Sequence, residues 1–147
     1  MQVGGTYEVA CSQETAWRVL MDPEILQRAI PGCKVLQETE KDKFDAEFEL
    51  GVAAIKGTYK GQVDIKDKKE PEEYKLQISA SGTAGFVRAE ITFTLQEAPS
   101  GTVLTYEGDA QVGGLIAGVG QRVIGGTAKL IAKQFFGALM KEIQAAS

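Results

Sequence analysis

The sequence predicts an α+β domain: a strongly curved antiparallel sheet of about seven strands folded around a long C-terminal helix, with two short helices after the first strand. Three observations lead there. Apolar and polar residues alternate over successive stretches between Phe44 and Val112, as in antiparallel strands with one wet face and one face turned inward. The chain then closes on an apolar, helix-like stretch from Leu115 to Ile143. Finally, Gly57, Gly61 and Gly108 fall on the inward pattern, where glycine gives up packing and permits a bend or a close approach.

The elements follow in order. Val3, Gly5, Tyr7 and Val9 alternate with mostly polar neighbours, the period of a half-buried strand. Ser12 offers a helix N-cap, with Glu14 in the first turn and Ala16, Val19 and Leu20 on an apolar face. Asp22-Pro23-Glu24 starts a second helix, with proline at the first helical position, and Pro31-Gly32 ends it. Phe44, Ala46, Phe48 and Leu50 then form one inward set, and Ile55, Gly57, Tyr59, Gly61, Val63 and Ile65 the next. The charged tract Lys66 to Glu73, with Pro71, reads as a solvated turn. Tyr74, Leu76, Ile78 and Ala80 follow, then Val87, Ala89, Ile91, Phe93 and Leu95. Leu104, Tyr106, Gly108, Ala110 and Val112 complete the sheet.

The terminal stretch opens on six glycines within fourteen residues: Gly113, Gly114, Gly118, Gly120, Gly125 and Gly126. Each interior glycine costs about 1 kcal/mol of helix stability relative to alanine. On a continuous helix, Ile116, Val119, Val123, Leu130 and Ile131 share an apolar arc, and Arg122, Lys129 and Lys133 a basic stripe. A small-residue row lies between them: Gly114, Gly118, Gly125, Ala128 and Ala132, interrupted by Gln121. Tight packing of helix on sheet explains the row, and so does one wall of a cavity. The basic stripe is either the wet side of an amphipathic helix or a contact for acidic lipid headgroups or an acidic partner. Phe135 and Phe136 read as core anchors.

Composition excludes several chemistries. The 147 residues carry 44% hydrophobic and 24% charged side chains, as in a globular protein read here as one domain, 1–147. A net charge of −4 opposes general nucleic-acid binding, which needs a basic face. With no histidine there is no Ser-His-Asp or Cys-His nucleophile and no histidine-ligated metal. The two cysteines, Cys11 and Cys33, lack metal-ligand spacing and are expected reduced in a cytoplasmic protein. The apolar run from Ala110 to Gly120 is too short to span a bilayer, and Met1 to Gly5 shows no signal-peptide pattern. Paired inward carboxylates are absent from the pattern, since Glu47, Glu49, Asp64 and Glu90 all fall outward.

Pro31-Gly32-Cys33, Gly57-Thr58-Tyr59-Lys60-Gly61, Gly82-Thr83-Ala84-Gly85-Phe86, Val112-Gly113-Gly114-Leu115, Gly118-Val119-Gly120-Gln121-Arg122 and Phe135-Phe136 stand in a specific order. In this layout the chain resembles CoxG, a family of carbon monoxide dehydrogenase subunits, over essentially residues 1–145. The resemblance implies the helix-grip fold of the START/SRPBCC superfamily, with a hydrophobic cavity between sheet and helix. It implies an accessory role beside a molybdenum hydroxylase of the carbon monoxide dehydrogenase type, linked to membrane attachment and quinone handling. The molybdopterin, iron–sulfur and flavin cofactors sit in other subunits, so this chain is expected to hold none.

The leading expectation is therefore a non-catalytic carrier of an apolar ligand, a quinone or a lipid, working in the cytoplasm and peripherally at the inner face of the cell membrane. Leu26, Ile30, Phe48, Tyr59, Phe93, Tyr106, Gly114, Gly118, Gln121 and Gly125 are its expected cavity residues, with Arg122, Lys129 and Lys133 for membrane or partner contact. Tyr59 and Tyr106 are either core tyrosines with satisfied hydroxyls or donors to a ligand carbonyl. The alternatives are a docking protein whose cavity is incidental and a small-molecule enzyme of the polyketide cyclase type.

Overall fold

The computed structural model describes residues 1–51 and 55–146. Strand β1 (Gln2–Val9) leads into helices α1 (Gln13–Leu20) and α2 (Pro23–Ala29). Strands β2 (Cys33–Glu40), β3 (Lys43–Leu50), β4 (Gly57–Lys69), β5 (Glu73–Gly82), β6 (Gly85–Ala98) and β7 (Gly101–Gly113) follow. The chain ends in helix α3 (Gln121–Ala146). Among the described residues the strands form one sheet, ordered β1-β7-β6-β5-β4-β3-β2, with every neighbouring pair antiparallel.

The caps are those the sequence predicts. Ser12 Oγ accepts from the Thr15 amide at 3.2 Å, and Asp22 Oδ1 accepts from the Glu24 amide at 3.0 Å. Each satisfies an otherwise orphaned first-turn donor. The charged tract 66–73 is mostly strand: β4 runs on to Lys69 and β5 starts at Glu73, leaving the turn at residues 70–72. Period-2 patterning is weak there because both faces are wet.

Two glycines explain the curvature. A Cβ on Gly61 would overlap the Ser79 carbonyl oxygen and press on Ala80 Cα. A Cβ on Gly108 would do the same to the Glu90 carbonyl oxygen and Ile91 Cα. Neighbouring strands come closer at these points than any side chain allows, so the sheet coils toward its inner face.

The terminal helix departs from the expected continuous stretch. Leu115–Val119 form a 3₁₀ turn, and Gly120, at φ +91°, redirects the chain before α3 begins at Gln121. The break re-phases the faces. Ile116, Ile124, Phe136, Leu139 and Ile143 turn inward, whereas Val119, Val123 and Leu130 are exposed, contrary to the shared arc drawn on a continuous helix. α3 leans on α2, α1 and β1. Arg28 of α2 holds Glu142 of α3 in a two-pronged ion pair (Nε–Oε1 2.9 Å, Nη2–Oε2 3.0 Å). That hydrogen bond draws the Glu142 carboxyl below its ordinary range.

Candidate functional site

The strand registers stack the inward side chains into rows across the sheet. Gly5, Tyr106, Phe93 and Tyr74 form one row over β1, β7, β6 and β5. Val3, Gly108, Ile91, Leu76 and Ile65 form the next, and Ala110, Ala89, Ile78, Val63 and Phe44 the one after.

These rows are not equally filled. The first belongs to an aromatic core: Tyr74 stacks on Phe93 at 5.0 Å, Trp17 meets Tyr74 edge-on, and Phe136 of α3 stacks on Tyr7 at 4.3 Å. A separate cluster forms at the other end, where Ile55, Tyr59, Ala80, Ile116 and Ile124 are buried together. Between them, Val3, Leu76, Ile78, Ala89, Ile91 and Gly108 face the helix yet stay only partly buried, as do Gly125, Ala128, Ile131 and Phe135 on α3. Apolar side chains that face one another normally close to crystal-like density. Here the facing side chains keep part of their surface accessible, and Ala89 and Gly108 on the sheet and Gly125 and Ala128 on α3 are small.

A groove of about 470 Å³ opens beside this band, lined by Ala110 and Val112 of β7, Gln121 and Ile124 of α3, and Met1. A second, more polar groove of about 520 Å³ runs between α2 and the start of β2, past Ile30 and Arg28.

The expected cavity residues are placed unevenly. Leu26 and Phe93 are buried in the aromatic core, and Phe48 is half-buried and packs against both clusters. Ile30 ends α2 and lines the polar groove. Tyr59 is buried, and its hydroxyl donates to the Ile55 carbonyl at 2.7 Å, so it is already satisfied. Gly125 is half-buried, with open space beyond Met1 Sδ at 3.9 Å. The remaining positions correct the small-residue row. Gly118 is exposed in the 3₁₀ turn, Gly114 is exposed and turns the chain at φ +78° against Gly85, and Gln121 is exposed at the groove's edge. Because the helix breaks at Gly120, Gly114 and Gly118 do not continue the face that Gln121 begins with Gly125, Ala128 and Ala132 on α3.

Arg122, Lys129 and Lys133 are all exposed. They flank exposed apolar side chains: Leu115 (81% accessible), Val119, Val123 and Leu130. Sequence reasoning missed this pairing because it drew Val119, Val123 and Leu130 on one apolar arc with Ile116 and Ile131, apart from the basic stripe. It also missed Tyr7, whose place on the inward pattern beside Gly5 was the available signal. Burial pushes the Tyr106 hydroxyl above its ordinary range, and neighbouring Tyr7 adds to the shift. The Cys11 and Cys33 thiols are likewise raised by burial.

A coiled antiparallel sheet gripping a long C-terminal helix is the helix-grip fold. The chain belongs to CoxG, a family of carbon monoxide dehydrogenase subunits, whose model matches residues 5–144. A conserved protein from Geobacillus kaustophilus is 40% identical, with a TM-score of 0.96 over 99% of this chain and 97% of that one. A START superfamily protein from Mycobacterium smegmatis (18% identity, TM-score 0.77, 99% of each chain) shares the fold. So does a Thermus thermophilus protein (13% identity, TM-score 0.77, 100% of this chain and 99% of that one). None of the curated proteins matches this chain in sequence.

Proposed function

We propose that this protein is a non-catalytic carrier that holds an apolar small molecule, a quinone or a lipid, between the sheet and α3, in the service of a molybdenum hydroxylase of the carbon monoxide dehydrogenase type. The observation that carries the reading is the band of partly accessible apolar side chains between the two core clusters, next to an open groove. Removing about 300 Å² of apolar ligand surface from water contributes roughly 7 kcal/mol, so the ligand needs no charged anchor to bind. The family's name supports the accessory role, and the carboxylates Glu47, Glu49, Asp64 and Glu90 all lie outside the buried core.

Native mass spectrometry and organic extraction of the purified protein test this, with a co-purifying apolar molecule as the expected result. Gly125→Leu projects a side chain from α3 beside the band and is expected to lower ligand occupancy at least tenfold, by a clash the bound state cannot relieve. Gly118→Leu fills open solvent and is expected to leave occupancy unchanged. Equal occupancy in the wild type and Gly125→Leu defeats the reading.

A second reading concerns where the ligand enters, and the exposed patch favours it. Leu115, Val119, Val123 and Leu130 lie beside Arg122, Lys129 and Lys133, the mixture that settles into an anionic lipid surface. No helix among the described residues is long and apolar enough to cross a membrane, so this contact would be peripheral. Co-sedimentation with vesicles containing anionic lipid is expected for the wild type at low salt. Replacing the three basic residues by glutamate is expected to weaken it by about a hundredfold or more, at about 1 kcal/mol per lost charge near the surface. Sedimentation indifferent to both salt and these substitutions excludes the membrane as the partner.

A further inference from the structure

Most polar side chains that reach the interior are already engaged. Tyr59 donates to Ile55, Thr127 to the Val123 carbonyl at 3.0 Å, and Thr102 to the Cys11 carbonyl at 2.8 Å. Tyr106 differs. It is 7% exposed, and its hydroxyl makes no hydrogen bond among the described residues. No fully enclosed side-chain polar atom lacks a partner among those residues, so this unpartnered oxygen must border open space.

Its position is set by the glycine opposite. Gly5 pairs with Tyr106 across β1 and β7, and the Tyr106 ring and hydroxyl lie over it, 2.9 and 3.2 Å from where a Cβ would stand. Tyr7, two residues along β1 on the same face, has its ring nearly parallel to that of Tyr106 at 6.4 Å and also makes no hydrogen bond among the described residues. Phe136 packs against both rings, at 4.3 Å from Tyr7 and 5.6 Å from Tyr106, and fixes their orientation. Next along β7 come Gly108 and Ala110, both partly accessible, on the band between the clusters. Two hydroxyls unpartnered among the described residues therefore stand together, Tyr106 one row from that band and Tyr7 two, with no cation on these inward rows.

We infer that Tyr106, assisted by Tyr7, is the polar anchor of the interior, and that it selects ligands whose buried end carries an uncharged oxygen acceptor, a carbonyl above all, over carboxylates and plain hydrocarbons. The inference rests on the carrier reading above and names the chemistry of its ligand. A protonated phenol donates one short hydrogen bond to a carbonyl. A carboxylate there would be a buried charge without a counter-charge, which apolar surroundings reject. A hydrocarbon of the same shape would leave the hydroxyls unmatched.

Calorimetric titration with 2-acetylnaphthalene, 2-ethylnaphthalene and 2-naphthoate tests it on the wild type, Tyr106→Phe and Tyr7→Phe. The wild type is expected to bind the ketone about tenfold tighter than the hydrocarbon, equivalent to about 1.4 kcal/mol, and the carboxylate most weakly. Tyr106→Phe is expected to abolish the ketone's advantage while leaving 2-ethylnaphthalene affinity and the melting temperature undiminished, and Tyr7→Phe to reduce that advantage in part. A ketone preference that survives both substitutions, or tighter binding of the carboxylate, overturns the inference while the carrier reading stands. Absence of binding by all three probes overturns both.

Discussion

Truncating Phe136 to alanine is expected to cost about 4 kcal/mol of folding stability, within the usual range for emptying a buried aromatic site. The side chain is 1% exposed and is the point where α3 meets the sheet. Its ring contacts Tyr7, Tyr106, Phe93 and Phe135, so its loss removes four ring contacts together with the buried area. Neighbours cannot collapse into the gap, because Tyr7 and Phe93 are held by strands fixed in the sheet. A domain of this size has about 5–15 kcal/mol in total, so the variant should unfold at markedly lower urea concentration. Phe135→Ala is the comparison. Phe135 is only half-buried, so its truncation should cost less than half as much. Equal losses at the two positions would mean that α3 is not seated through Phe136.

Adding one methyl group at Gly61 is expected to destabilise the protein by roughly 3 kcal/mol, the upper end for overpacking. The obstruction is backbone, the Ser79 carbonyl of β5, and backbone in a paired strand cannot rotate aside as a side chain does. Relief requires β4 and β5 to separate, which breaks ladder hydrogen bonds and flattens the sheet. Gly126→Ala is expected to act oppositely. That glycine lies inside α3 with nothing near its missing Cβ, so alanine should stabilise the helix by about 1 kcal/mol. Chemical denaturation of the two variants side by side should move the midpoints in opposite directions.

Outside the 66–73 tract, the inner face of the sheet was legible in the sequence to the level of single residues. Alternation placed Phe44, Ala46 and Phe48, and likewise Tyr74, Phe93 and Tyr106, on the inner face, because a period of two leaves no freedom about which side is buried. Ser12 and Asp22 marked both short helices through local hydrogen bonds. The candidate site was less legible, for two physical reasons. A helical wheel assumes an unbroken helix, and a single residue with positive φ, Gly120, re-phased everything before it. Gly114 and Gly118 were thereby lost to the interior, and Val123 and Leu130 turned out to be surface. The second reason is range. The stacking of Tyr7 on Phe136 joins the first strand to the last helix, and no local pattern encodes which aromatic meets which. The satisfied hydroxyl of Tyr59 and the unsatisfied one of Tyr106 look identical as letters.

The sheet has two rims, and the one formed by β2 bears on how this protein behaves when concentrated. Seven of its eight residues are partly or fully accessible, and Lys34, Glu38 and Glu40 stand among them. A flat apolar rim would recruit a strand from another molecule and seed aggregates. Here a second copy adding itself along this rim would have to strip water from Lys34, Glu38 and Glu40. Its register is also disturbed twice along its length, between Cys33 and Val35 and between Glu38 and Glu40, so it offers no regular ladder to extend. Colloidal solubility is thus written into the strand farthest in the sheet from β1, leaving the inner face to remain oily.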